Sequence, residues 1–165
     1  MVYIIDDKEQ KEQISSKILL DLQEWFWIPE STEEYVKCSR EMPFWADIED
    51  ELARGFITLK ETSQYTAEIY VIGVLKEFHR EKIGINLFKA FYDYAKEHGY
   101  LYIQVKTVKE GCYAEYDKTI AFYKRLGFKE FECFDTLWDE WNPCQIYIMA
   151  IIWNYNVTQY TIASK

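Results

Sequence analysis

The chain has 165 residues, 49% hydrophobic, 28% charged and 18% aromatic, a balance that fits one folded domain and excludes a disordered segment. Its formal charge of −9 and the lack of a basic stripe argue against binding nucleic-acid phosphates. An acidic surface suits a cationic partner such as an amine or a basic protein, and serves solubility equally well.

The chain opens with a short apolar run, Val2 to Ile5, that reads as an edge strand. Asp6 to Gln23 is polar, with Ile14, Ile18, Leu19 and Leu22 at the spacing of an amphipathic helix. An aromatic loop follows from Trp25, ended by Pro29, and Ser31 or Thr32 is the expected cap of a second helix. Phe44–Ile48 and Gly55–Lys60 read as strands joined by an acidic turn, and Gln64–Leu75 as a longer strand rich in β-branched and aromatic residues. Strict alternation along it puts Ala67, Ile69, Val71 and Gly73 on one side and Glu68, Tyr70, Ile72 and Val74 on the other.

Gly84–His98 has Leu87, Phe91, Tyr94 and Ala95 at helical spacing, with Gly99 as its stop. Tyr100–Thr107 reads as a strand, and Tyr116–Leu126 as a helix stopped by Gly127. Phe128–Phe134 and Ile146–Ile152 are the last strands. This order predicts a mixed α/β domain, a mostly antiparallel sheet flanked by helices, with one parallel pair across the Gly84–His98 crossover. No linker or repeat divides residues 1–165, so a single domain is expected.

Cys38, Cys112, Cys133 and Cys144 form no C-x-x-C pair and no zinc spacing, so no metal is expected. The start of the chain turns acidic at Asp6, without the apolar core of a signal peptide, and the run from Ile146 to Trp153 is too short to span a bilayer. Reduced thiols, no membrane and a cytoplasmic location are the expectation.

The most informative stretch runs from Ala67 through Gly84 to Leu87. A strand enters a short loop that opens a helix near Ile83. The unpaired N–H groups and positive end of such a helix make a seat for a phosphate, and His79, Arg80 and Lys82 surround it with further donors. His79-Arg-Glu-Lys-Ile-Gly84, with Leu87 beyond, resembles the pyrophosphate loop of the GNAT N-acetyltransferase superfamily, whose pattern is Gln/Arg-x-x-Gly-x-Gly/Ala. Gly84 matches the second glycine. His79 stands where the pattern has Gln or Arg, and Lys82 where it has the first glycine. The lysine either loosens the backbone wrap or adds an ammonium contact to phosphate. Thr119-Ile-Ala-Phe-Tyr-Lys-Arg-Leu-Gly-Phe is similar to the superfamily's helix ending in Phe-Tyr-x-x-Leu-Gly-Phe. The resemblance covers Gly55 to Ile152 and leaves residues 154–165 outside it. The aromatic N-terminal segment and Leu137-Trp-Asp-Glu-Trp-Asn-Pro also resemble an uncharacterised bacterial group within it.

The resemblance implies an acetyl-CoA-dependent N-acetyltransferase acting on an amine-bearing small molecule or protein, as a monomer or homodimer. It places acetyl-CoA against Ile72, Gly73 and Val74, against the loop residues His79, Arg80, Glu81, Lys82, Ile83 and Gly84, and near Tyr116. Direct transfer needs a base, an oxyanion donor and an acid. Glu68 is the candidate base, since burial beside Tyr70, Ile72 and Val74 would make it a better proton acceptor; a solvated strand carboxylate is the competing reading. Tyr123 is the candidate acid, protonated at neutral pH, or simply a packed helical tyrosine. A backbone N–H near Val74 is the candidate oxyanion donor. Trp25, Trp27, Trp138 and Trp141, with Asp139 and Glu140, are candidate acceptor-site walls for an ammonium, or core and rim. A non-catalytic acyl-CoA sensor and a domain that has lost its ligand are the alternatives to an enzyme.

Overall fold

Seven β-rich stretches pair into one sheet in a computed structural model that describes residues 1–139 and 141–152; Glu140 and residues 153–165 lie outside the described residues. In chain order the elements are β1 (Val2–Ile4), α1 (Lys8–Asp21), α2 (Pro29–Ser39), β2 (Phe44–Glu49), β3 (Leu52–Ser63), β4 (Thr66–Val74), α3 (Ile83–Glu97), β5 (Tyr102–Val108), α4 (Ala114–Leu126), β6 (Lys129–Asp139) and β7 (Asn142–Ala150). The sheet order is β1-β2-β3-β4-β5-β7-β6. Among the described strands only β4 and β5 run parallel, joined by the α3 crossover, as the sequence predicts. No described helix is long and apolar enough to cross a membrane.

The helices divide by face. Leu87 and Phe91 of α3 and Ile120 and Tyr123 of α4 share one core with Ile57, Leu59, Ala67, Ile69 and Ile103 of the sheet. Ile14, Ile18 and Leu19 of α1 pack on the opposite face against Phe44, Phe56 and Val71, with Tyr35 and Val36 of α2 at the margin.

Two local expectations are corrected. The second helix begins at Pro29, with Ile28 rather than Ser31 or Thr32 in the cap position. Proline lacks the N–H that a first-turn residue would leave unpaired, and its φ is already helical. Thr32 instead donates its hydroxyl back to the carbonyls of Phe26 and Ile28.

The strict alternation along β4 also fails. Thr58 pairs with Val71 but Leu59 with Ile69, so Tyr70 is an extra residue, a β-bulge. One extra residue exchanges the two faces beyond it. Ala67 and Ile69 therefore face α3, whereas Val71 joins the α1 core and Ile72 and Val74 turn to the α3 side.

The bulge brings Gly73 under α1. A Cβ there would lie 2.9 Å from Ile18 Cγ2 and 3.1 Å from Leu22 Cδ1. Ile18 is fully buried and its branched side chain has one preferred rotamer. Gly73→Ala is therefore expected to cost about 1–3 kcal/mol through overpacking, read as a lower urea midpoint. An unchanged midpoint would show that α1 can move away freely.

Candidate functional site

β4 and β5 pair from Thr66↔Tyr102 to Ile69↔Val105 and then part. Beyond that point β4 keeps only β3, with Val74 opposite Gly55, and β5 keeps only β7, with Val108 opposite Cys144. A V-shaped gap opens toward the C-terminal ends of both strands. The loop from β4 to α3 stands on one arm and α4 on the other.

The loop after β4 makes one 3-10 turn, Lys76–Phe78, and enters α3 through Arg80 (φ +72°) and Lys82 (φ +64°), both left-handed. Lys82 is the cap residue of α3, no side chain caps that helix, and its first turn holds no acidic residue. The first-turn N–H groups are thus available to an anion. Lys82 occupies the position where the GNAT pattern has glycine, and it adopts the conformation glycine favours. The back of the loop is braced by Arg54, which lies 5.5 Å above the Phe78 ring, 3.9 Å from Glu81 and 2.8 Å from buried Asp47. Gly84 lets α3 approach α4, since a Cβ there would sit 3.3 Å from the Phe122 ring.

Three predicted residues meet at the mouth of the gap. His79, itself exposed, donates Nε2–H to the Val74 carbonyl at 2.8 Å and meets Trp25 edge-on at 6.2 Å. Trp25 Nε1 donates to the Glu115 carbonyl and to Thr119 Oγ1, both at 3.1 Å. Tyr116 donates its hydroxyl to the Trp25 carbonyl at 2.5 Å. Trp25 is therefore tied to α4 rather than standing as a free wall.

Glu68 lies at the root of the gap, 4% exposed. Its Oε2 accepts from Gln104 Nε2 at 2.5 Å and from Lys106 Nζ at 2.9 Å, both on β5. Above it, the Tyr35 ring of α2 lies 5.3 Å from the Tyr70 ring, and Lys60 Nζ sits 5.3 Å from the same Tyr70 ring. Burial raises the pKa of Tyr35 and Tyr70, and pushes Tyr116 up to about 12. Tyr123 is 4% exposed and packed on Phe128; burial, then the neighbouring Tyr116 and Tyr35, raise its pKa as well. All four phenols are proton donors at neutral pH. Gln104, Lys106 and Tyr35 were not singled out in the sequence. The expected parallel pair pointed to β5, but only the register puts Gln104 beside Glu68.

The remaining acceptor candidates lie elsewhere. Trp27 borders a groove of about 890 Å³ between α1 and α2, with Leu19, Phe26 and Val36. Trp138 and Trp141 stand near the tip of the β6–β7 hairpin, 42% and 74% exposed. Asp139 accepts from the Asn142 side chain and from the backbone N–H groups of Trp141 and Asn142, which closes that turn and lowers its pKa.

Two outcomes follow from the buried pair and the left-handed lysine. Lys106→Met leaves a buried carboxylate without its cation and is expected to cost roughly 2–3 kcal/mol, discounted for the partial exposure of Lys106. Glu68→Gln keeps acceptor and shape and is expected to cost clearly less; the reverse order in urea unfolding would show that Lys106 is dispensable. Lys82→Gly removes the left-handed penalty and is expected to stabilise by about 1 kcal/mol; a loss in the same measurement would mean that the side chain itself anchors the turn.

Residues 11–128 match the family model described as Acetyltransferase (GNAT) family. The sequence matches no curated protein. Among solved structures, a GNAT-family protein from Desulfovibrio desulfuricans superposes with a TM-score of 0.79 at 16% identity, covering 92% of this chain and 99% of that one. An aminoglycoside 6'-N-acetyltransferase from Enterococcus faecium gives 0.74 at 17% identity, with 94% and 99% covered. An aminoglycoside 6'-N-acetyltransferase complexed with coenzyme A gives 0.73 at 18% identity over the same shares. With more than half of its length matched, this chain belongs to the GNAT acetyltransferase family.

Proposed function

We propose that the chain transfers an acetyl group from acetyl-CoA to a primary amine by direct attack within a ternary complex. The observation that carries this reading is the parting of β4 and β5 beside the uncapped start of α3. A strand with one free edge offers N–H and C=O groups to an amide-bearing arm, and a helix start offers N–H groups to a diphosphate. Two of the similar structures act on aminoglycosides by name, and one of them holds coenzyme A. Their low identity supports an amine acceptor as a class rather than a particular one.

In this reading the amine nitrogen attacks the thioester carbonyl carbon and the C–S bond breaks. The amine loses a proton and the departing thiolate gains one. Tyr123 is the acid, because its buried phenol keeps its proton. Glu68 is the base. Its two hydrogen bonds both fall on Oε2, which leaves Oε1 for the amine proton. A backbone N–H near Val74 is the oxyanion donor. Arg80 and Lys82 add positive charge beside the diphosphate seat.

Acetyl-CoA at a hundredfold excess over its dissociation constant should stabilise the chain by about 2.7 kcal/mol, seen as a raised melting temperature. Tyr123→Phe and Glu68→Gln should each lower kcat by roughly 10²- to 10⁴-fold on an accepted amine, with a normal far-UV CD spectrum. A wild-type rate in Glu68→Gln would assign deprotonation to water. No acetyl-CoA shift and no thiol release across amines and proteins would overturn the reading.

A further inference from the structure

α1 and α2 lie on one face of the sheet and α4 on the other. The loop between α1 and α2 nevertheless reaches α4, through Trp25, beside the end of β4 marked by Val74 and His79. It therefore crosses the mouth of the gap. Three segments that enclose the mouth are joined to one another: the Trp25 loop, the β4–α3 loop and the first turn of α4.

The internal bonds also use groups that an incoming arm would need. The Val74 carbonyl is on the free edge of β4, and His79 occupies it. The Tyr116 hydroxyl points at the Trp25 carbonyl. Trp25 Nε1 holds two acceptors on α4, and the indole is neither exposed surface nor deep core.

We propose that Trp25, with His79 and Tyr116, is a latch across the cofactor cleft, and that acetyl-CoA enters only after these bonds open. The inference rests on the cofactor reading given above and adds a closed state to it. A closed state lowers apparent affinity by the fraction of molecules that are open. Weakening the latch without altering the cleft therefore speeds cofactor entry.

The experiment uses the full chain and etheno-coenzyme A, whose own fluorescence reports association in a stopped-flow instrument. Trp25→Phe keeps an aromatic ring beside His79 but removes both indole donor contacts. Thr119→Val removes one acceptor at constant shape and stands alone if Trp25→Phe fails to fold. Both variants are expected to associate about five- to tenfold faster than wild type. Hydrogen exchange of the amides at residues 113–119 is expected to rise in both variants without ligand. Saturable binding with unchanged or slower association in the folded variants would overturn the latch and make Trp25 a fixed wall. Failure of wild type and variants alike to bind etheno-coenzyme A would instead overturn the cofactor reading, and the latch with it.

Discussion

Two parallel strands that pair over four residues and then part govern the architecture of this site. β5 stays with β7 over seven paired positions, from Tyr102 to Val108, whereas β4 stays with β3 as far as Val74. The bulge at Tyr70 falls one residue beyond the last β4–β5 pair. Bulges bend a strand and increase its local twist, which accounts for β4 turning away there. Backbone groups freed by the parting must find partners, since a buried polar group without one costs as much as a lost hydrogen bond. His79 meets one of them, the Val74 carbonyl.

The root and mouth of the gap handle charge differently. At the root, a carboxylate is removed from water, which is tolerable only when it is paired and hydrogen-bonded. Lys106 and Gln104 supply both, so Glu68 is held by two β5 residues while belonging to β4. The pair fastens the strands just before they separate. Toward the mouth the Tyr116 phenol is a neutral donor that burial keeps protonated, and the Trp25 indole is a second neutral donor beside His79.

Much of the fold was legible in the sequence because its signals are local. Apolar spacing marked α1, α3 and α4, and Gly127 (φ +103°) ends α4 as a glycine stop should. The parallel pair followed from strand, helix and strand in series. Long-range features were hidden. The bulge at Tyr70 leaves the alternation of residue types undisturbed, so the faces of Val71 and Gly73 were misread. The helical start at Pro29 was overlooked because a proline after an aromatic run resembles a loop. The roles of Trp25 and Tyr116 depend on contacts across 90 or more residues, and no spacing rule reaches that far. Glu68 and Tyr123 came from resemblance; burial of Glu68 was expected beside Ile72 and Val74, but the bulge turns those two to the other face, and its pairing with Gln104 and Lys106 came only from the structure.

The lysine in place of the first pattern glycine is explained by backbone geometry. What the turn demands at position 82 is a left-handed residue, and Lys82 supplies it at a cost of about 1–2 kcal/mol that glycine would avoid. Such conformations persist where the surroundings over-determine them. Here Arg54 braces Phe78 and Glu81 from behind, and the Asn86 N–H bonds to the Lys82 carbonyl at 3.0 Å to begin the helix. Left-handed residues in such turns direct neighbouring N–H groups into a common concavity that attracts anions. The substitution therefore preserves the dihedral angle that glycine favours at this turn, at some cost in stability. Arg80, at a variable position of the pattern, is also held at positive φ two residues earlier. Two basic side chains are thus held in unfavourable backbone at one turn, in a chain of net charge −9.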